Sequence, residues 1–189
     1  MKFSILICSL ESRYQDLLTL LDHLYVQIKG LEDEVEILIE KDDGTLSTGA
    51  KRNILLERSE GDYIAFIDDD DLVAPNYVEL IMKALEQEPD VVGMNLIMTT
   101  DGQKAERSFH SLQFDHWFDH PYPLGNGYKV YFRNPNHLNP VKREYALEAR
   151  FPEITMREDR DYSQKLLPLL KSEVYIEPPI YFYLFEEGK

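Results

Sequence analysis

Three short apolar runs punctuate the first half of the chain, at residues 3–9, 35–40 and 62–67. Each is rich in β-branched or aromatic residues and ends abruptly in polar ones, the pattern of a buried strand. Between the first two, Leu17, Leu18, Leu21, Leu24 and Ile28 recur at helical spacing over residues 15–28; between the second and third, Ile54, Leu55 and Leu56 mark a helix over residues 49–59. Pro75 opens one more helix at its first turn. The series β-α-β-α-β-α implies a parallel sheet wound with right-handed crossovers. The strand ends at residues 9, 41 and 68 then meet on one edge, where open α/β sheets receive their ligands.

The second half changes character. Residues 91–98 and 104–109 flank Asp101-Gly102, a hairpin signal. Residues 113–140 are crowded with aromatics, Pro, Asn and His, a long irregular stretch of the kind that forms a binding loop, with Trp117 read as core. Helices follow over residues 141–149 and 158–167, the latter ended by Pro168, and strands over residues 174–176 and 180–185 close the pattern. No composition shift resembles a linker, so residues 1–189 read as one domain with two lobes, 1–90 and 91–189.

At 189 residues with 43% hydrophobic content, a full core is within reach. The net charge of -15, from 20 basic against 35 acidic residues, argues against bulk nucleic-acid binding or a broad anionic-lipid surface. Cys8 is the single cysteine, so no internal disulfide forms, and its place in the first apolar run suggests packing. No apolar span is long enough to cross a bilayer, and the expected location is cytoplasmic.

Chemistry concentrates at Asp68-Asp69-Asp70-Asp71, directly behind Tyr63-Ile64-Ala65-Phe66-Ile67. Adjacent carboxylates raise one another's pKa, and a stack of them at the end of a buried strand calls for a cation, a hard divalent ion being the natural guest. The competing reading is a solvated acidic turn. Asp42-Asp43-Gly44-Thr45 is either a recognition turn or an ordinary Asx-turn. Gly49-Ala50-Lys51-Arg52-Asn53 opens a helix whose N–H groups, with two cations beside them, suit an anion, although a basic pair is commonly a solvated face. Glu158, Asp159 and Asp161 are either functional or an acidic first turn that complements the helix dipole.

Taken in order, these segments resemble the family 2 glycosyltransferases. Ser4 to Arg13 is similar to that family's opening strand, Asp42-Asp43-Gly44-Thr45 to its Asp-Asp-Gly-Ser turn, and Lys51-Arg52-Asn53 to its Ala-Arg-Asn segment. Gly61 through Asp71 resembles its Gly-Asp-Tyr-Ile-x-Phe-Leu-Asp-x-Asp-Asp segment, and Glu158-Asp159 its Glu-Asp pair. The resemblance implies a GT-A fold: a Rossmann-like, mostly parallel central sheet flanked by helices, with residues 1–90 binding a nucleotide sugar and a smaller, mixed C-terminal acceptor lobe.

By the same resemblance, Ser9, Asp42, Asp43, Lys51, Arg52, Asp68 and Asp69 bind the nucleotide. Asp42 or Asp43 would accept from a uracil imide, Arg52 is favoured over Lys51 for the diphosphate, and Asp69 approaches the ribose. Asp70 is the preferred ligand of Mn²⁺ or Mg²⁺, which would stabilise the departing diphosphate. Asp71 caps the next helix. Asp159 is the catalytic base that deprotonates an acceptor hydroxyl as it attacks the anomeric carbon with inversion. His137, within Asn136-His137-Leu138-Asn139-Pro140, is a second metal contact, a sugar contact or a structural histidine; with Tyr128, Tyr131, Phe132 and Arg133 that segment is the candidate wall for acceptor or donor sugar.

Three departures limit the likeness. Only six residues separate Gly44 from Lys51, which trims the expected nucleotide pocket; Arg157 stands where a glycine often precedes the Glu-Asp pair; and no Gln-x-x-Arg-Trp element is present. The last disfavours a processive polymerase and favours transfer of single sugars. Two other classes stay open. A phosphohydrolase with Asp68 as nucleophile is one, although such enzymes usually carry the motif on the first strand and Leu72 occupies the place of their Thr or Val. The other is a catalytically lapsed nucleotide-binding module. An EF-hand is excluded by the strand context.

Overall fold

The computed structural model describes residues 1–121 and 127–185. Residues 122–126, part of the aromatic stretch singled out above, and 186–189 lie outside the described residues.

Three strands form the parallel half of the sheet: β1 (Phe3–Leu10), β2 (Val35–Asp42) and β3 (Tyr63–Phe66). β1 lies between the other two, with Leu10 opposite Asp42 and Leu6 opposite Phe66. Alternation along β1 feeds two cores, because successive side chains point to opposite faces. Phe3, Ile5 and Ile7 pack with helices α1 (Tyr14–Gln27) and α3 (Tyr77–Leu85). Leu6 packs on the other face with Leu55 and Leu56 of α2 (Thr48–Arg58), and with α4 (Arg143–Ala149) and α5 (Glu158–Leu166). Coverage on both faces explains why these strands read as continuous apolar runs.

The remaining strands are β4 (Leu72–Val73), β5 (Val91–Thr100), β6 (Gln103–His110), β7 (Phe118–Pro121), β8 (Lys129–Arg133), β9 (Val141–Lys142) and β10 (Glu173–Phe185). They extend the same sheet in the order β2-β1-β3-β9-β5-β6-β8-β7, with β10 alongside β5 and β4. Pairing here is mixed: β10 is parallel to β5 and β8 to β6, whereas β6, β7 and β9 run antiparallel to their partners β5, β8 and β3.

Several sequence expectations shift. The two terminal strands are one, β10, whose register slips between Ile176 and Tyr181 around Pro178-Pro179 because proline cannot donate to the ladder. Residues 113–140 contain β7 and β8 rather than irregular chain throughout. Residues 141–142 are strand β9, and the helix starts at Arg143. Pro75 lies just ahead of α3 rather than in its first turn. Leu20 is buried, whereas Leu18 is half-buried. Trp117 is half-buried and lies under the Arg133 guanidinium, 5.2 Å from the ring centroid, so it is not core.

Candidate functional site

Because β1, β2 and β3 are parallel, their carboxyl ends share an edge, and a cavity of about 450 Å³ opens there. Its walls include Ser9 and Leu10 from the end of β1, Lys51 and Arg52 from α2, Asp68, Asp69 and Asp70, and Thr155 and Glu158 from the start of α5. A cavity of similar size, about 460 Å³, lies at the opposite ends of the strands beside Lys2, Asp62 and Arg143, remote from the aspartates.

The four aspartates have four different environments. Asp68 Oδ1 accepts from Arg52 Nη2 at 3.0 Å and its Oδ2 lies 3.4 Å from His137 Nε2. Burial alone would raise its pKa, but His137 and Arg52 hold the carboxyl well below the usual range. Asp69 is buried and accepts from the Ser9 hydroxyl at 2.7 Å and from Arg13 Nη1 at 3.0 Å. Asp70 meets the same Arg13 nitrogen at 3.0 Å; burial raises its pKa despite Arg13, and Asp68 and Asp69 add to the rise.

Asp71 turns inward, away from the helix it was expected to cap. It accepts from the Tyr181 hydroxyl at 2.7 Å and from the Leu184 backbone N–H at 2.8 Å, and burial pushes its pKa up to about 8. It therefore ties the aspartate turn to β10. The first residues of α3 carry no side-chain cap at Asn76.

On the second strand tip, Asp42 Oδ1 accepts from Lys51 Nζ at 2.8 Å and its Oδ2 from the Leu46 N–H at 2.7 Å. The Lys51 hydrogen bond holds Asp42 down at about 2. Lys51 is buried and also donates to the Ser9 carbonyl at 2.9 Å, which ties β1 to β2. Asp43 is exposed and accepts from the Thr45 N–H at 3.2 Å, the Asx-turn geometry, while Gly44 at φ +96° takes the left-handed conformation that suits glycine. Asp43 does not line the cavity.

The N-terminus of α2 is less open than its sequence suggests. Ser47 caps it, accepting from the Ala50 N–H at 3.2 Å, and the Gly49 N–H donates to the Ile154 carbonyl at 3.0 Å. Those donors are spent within the chain, so anion binding by free helix N–H groups does not apply to them. Arg52 is buried: Nη1 donates to Glu158 Oε1 at 2.8 Å, Nη2 to Asp68, and the guanidinium lies over the Phe66 and Phe151 rings at 5.6 and 5.3 Å. It joins the two acidic motifs.

Glu158 is buried, and burial raises its pKa against the pull of Arg52. Asp159 is half-buried and accepts from the Arg160 N–H at 2.7 Å; it does not line the cavity, yet its charge bears on Arg52, Arg133 and Tyr183. Arg157, just ahead, has φ +71°, a left-handed backbone that explains why a glycine suits this position.

His137 is buried, beside β3 through its carbonyl and beside Asp68 through its ring, and is not part of the cavity lining. The amides of Asn136 and Asn139 are used by the chain itself: Asn136 Oδ1 accepts from the Leu138 N–H, and Asn139 donates to the Val92 carbonyl. Phe132 is stacked between Phe109 of β6 and Phe118 of β7, so of the rings named for a sugar wall this one has its faces occupied within the chain.

Sequence reasoning missed Arg13, Tyr181 and the role of Glu158. An arginine just behind a strand that ends at a ligand edge was a signal available for the first; the other two depend on long-range packing. Among the described residues, no group of three or more His, Cys, Asp and Glu side chains is arranged to hold a metal ion, and no helix is long and apolar enough to cross a membrane.

The model of glycosyl transferase family 2 matches residues 37–135. EpsH of Bacillus subtilis (strain 168), a protein named as a candidate glycosyltransferase, is 27% identical over 146 residues, covering 71% of this chain and 41% of EpsH. Among solved structures, S. aureus TarS 1-349 in complex with UDP is similar at TM-score 0.74 and 16% identity, over 97% of this chain and 60% of that one. The complex of TarS 1-349 with UDP-GlcNAc is similar at TM-score 0.70 and 15% identity, over 100% of this chain and 60% of that one. The chain thus spans under two thirds of these relatives, and at such identities the structures establish a shared α/β fold.

Proposed function

Because the chain belongs to glycosyl transferase family 2, we propose that it moves a single sugar from a nucleoside-diphosphate sugar, UDP-linked, to an acceptor hydroxyl with inversion at the anomeric carbon. The observation that carries this reading is the pairing of Arg52 with both Asp68 and Glu158, which draws the strand-end aspartates and Glu158, the neighbour of Asp159, to one cavity. The UDP and UDP-GlcNAc complexes of TarS favour a uridine donor.

In this reading residues 1–90 hold the donor and residues 91–189 carry the acceptor side and the base, in a cytoplasmic protein. Asp42 and Lys51 border the nucleotide, with Ser9 and Asp69 beside the ribose; Asp43 joins them only if its turn opens. Asp159 accepts the proton from the acceptor hydroxyl as that oxygen attacks, and the diphosphate departs on the far side, so the configuration inverts. Positioned proton transfer of this kind contributes roughly 10²–10⁴ in rate.

The donor set fits a hard divalent ion: Asp70 offers carboxylate oxygens at the cavity, beside Asp68, and an ion of the Mg²⁺ type needs only one or two carboxylates when substrate phosphates complete its shell. When bound, Mn²⁺ or Mg²⁺ supplies charge neutralisation to the leaving diphosphate. His137 would serve that ion through its hold on Asp68.

The phosphohydrolase alternative has less support, because Asp68 is held as an ion-pair partner of Arg52, with His137 at its other oxygen, rather than standing alone at the cavity. The test is release of UDP from UDP-GlcNAc and UDP-glucose in the presence of Mn²⁺. Turnover that disappears in Asp159→Asn is the expected result. Release of inorganic phosphate from small phosphoesters, with no UDP formed from either nucleotide sugar, would overturn the proposal.

A further inference from the structure

Arg13 closes the opening segment of the family likeness without any role assigned to it there, yet its Nη1 lies 3.0 Å from Asp69 Oδ1 and 3.0 Å from Asp70 Oδ2. We infer that Arg13 is a tethered cation that competes with a divalent ion for Asp70, so that the ion is held only when the guanidinium moves aside. The inference rests on the proposed transfer reaction for the identity of the ion and of the nucleotide.

The two carboxylates differ in how firmly they are held. Asp69 is 3% exposed and its second oxygen accepts from the Ser9 hydroxyl, so this half of the contact is anchored. Asp70 is 27% exposed and Arg13 is 32% exposed, so the other half of the contact faces solvent and can open. Arg13 also borders two spaces, the donor cavity and a smaller one of about 180 Å³ beside Tyr183 and Phe185, which gives the guanidinium room to leave Asp70 without leaving the site.

Charge explains why the arginine is there. Arg52 is already committed to Asp68 and Glu158, which leaves Asp69 and Asp70 as adjacent anions with Arg13 as the cation bonded to both. Without it the two carboxylates would repel one another. A divalent ion that takes Asp70 Oδ2 must therefore break an existing ion pair, which weakens its apparent affinity.

The same geometry couples ion to nucleotide. A guanidinium released from Asp70 remains at the wall of the cavity that receives the anionic donor, and a diphosphate gives it a new bidentate partner. Nucleotide and ion then favour one another, because each makes the displacement of Arg13 less costly, and by linkage the effect is reciprocal.

Mn²⁺ binding to the purified full chain, followed by the electron paramagnetic resonance signal of the free ion, tests this without reading activity. In Arg13→Gln, Mn²⁺ alone is expected to bind roughly five-fold tighter or more than in wild type, the lower end of ordinary coupling between sites. The additional tightening on adding UDP is expected to be smaller in the variant. Arg13→Met, which keeps the apolar stem, repeats the measurement if Arg13→Gln melts early. The difference is to be measured also in concentrated KCl, because a long-range field is screened there and a direct contact much less so. Equal or weaker Mn²⁺ binding in both variants, a difference that vanishes in KCl, or no Mn²⁺ binding to any of the proteins would overturn the inference. UDP release assayed on the same samples fails or succeeds separately, so the transfer reaction and the role of Arg13 stand apart.

Discussion

Arg52 donates to Glu158 across 2.8 Å although 106 positions separate them in the chain. Its other nitrogen holds Asp68 at 3.0 Å, so one buried side chain fixes the spacing between the aspartate turn and the start of α5. Removing one member of a buried ion pair costs about 3–5 kcal/mol, because the remaining charge stays desolvated. Arg52 would keep Asp68, which puts Glu158→Gln at the lower end, about 3 kcal/mol. Urea denaturation measures the loss. A variant as stable as wild type would mean that Arg52 does not need Glu158.

Gly49 sits where the chain around Pro152 crosses the start of α2. A Cβ placed there would lie 1.8 Å from the Pro152 carbonyl oxygen, a contact with backbone that no rotamer change relieves. Gly49→Ala is therefore expected to lose at least about 1–3 kcal/mol, the ordinary range for overpacking. A calorimetric melt of the variant should fall below that of wild type, and UDP binding should weaken with it, because Thr155 and Glu158 line the same cavity. An unchanged melting temperature would contradict this packing.

How much of this was legible beforehand follows from the range of each interaction. The parallel half of the sheet could be read because burial on both faces writes each strand as an unbroken apolar run, and the convergence of Ser9, Asp42 and Asp68 on one edge follows from winding alone. The inward turn of Asp71 could not be read. It depends on Tyr181 and Leu184, over a hundred positions away, and four identical residues in a row carry no mark of which one turns toward them. The resemblance favours Arg52 for a diphosphate, and nothing local to the helix start tells that it is buried; the Phe66 and Phe151 rings beneath it arrive from distant segments. Pro178-Pro179 looked like a break between strands, and the slip in register they cause shows that the break was bridged.

His110 offers a test of pH dependence away from the cavity. Burial, with Arg133 nearby, lowers its pKa from the ordinary 6.5 to about 3. Between those values the unfolded chain binds a proton there and the folded chain does not, so stability rises with pH across this window and is lost as pH falls from 6.5 toward 3. Asp42, held at about 2, acts later: its contribution is present above its ordinary 3.8 and is lost as pH falls through 2. His110→Asn should therefore flatten the decline in urea midpoint between pH 6.5 and 4 and leave the steeper loss below pH 4 in place. A variant with the wild-type slope above pH 4 would show that His110 accepts its proton within the fold.

Asp159 and Asp70 should fail in different ways if the transfer reading is right. A base that only removes the acceptor proton contributes to the transition state and little to donor affinity, so Asp159→Asn is expected to lower turnover by roughly 10²–10⁴ while UDP affinity stays close to wild type. Asp70→Asn removes a carboxylate from the proposed ion site, and its first effect should be weaker UDP binding in the presence of Mn²⁺, with little change in its absence. Calorimetric titration of UDP with and without Mn²⁺ separates the two, since Asp159 lies outside the cavity lining whereas Asp70 is part of it. Should Asp159→Asn weaken UDP binding as much as Asp70→Asn while turnover on the bound donor persists, Asp159 would be a donor contact and the base would have to be sought elsewhere along the crevice.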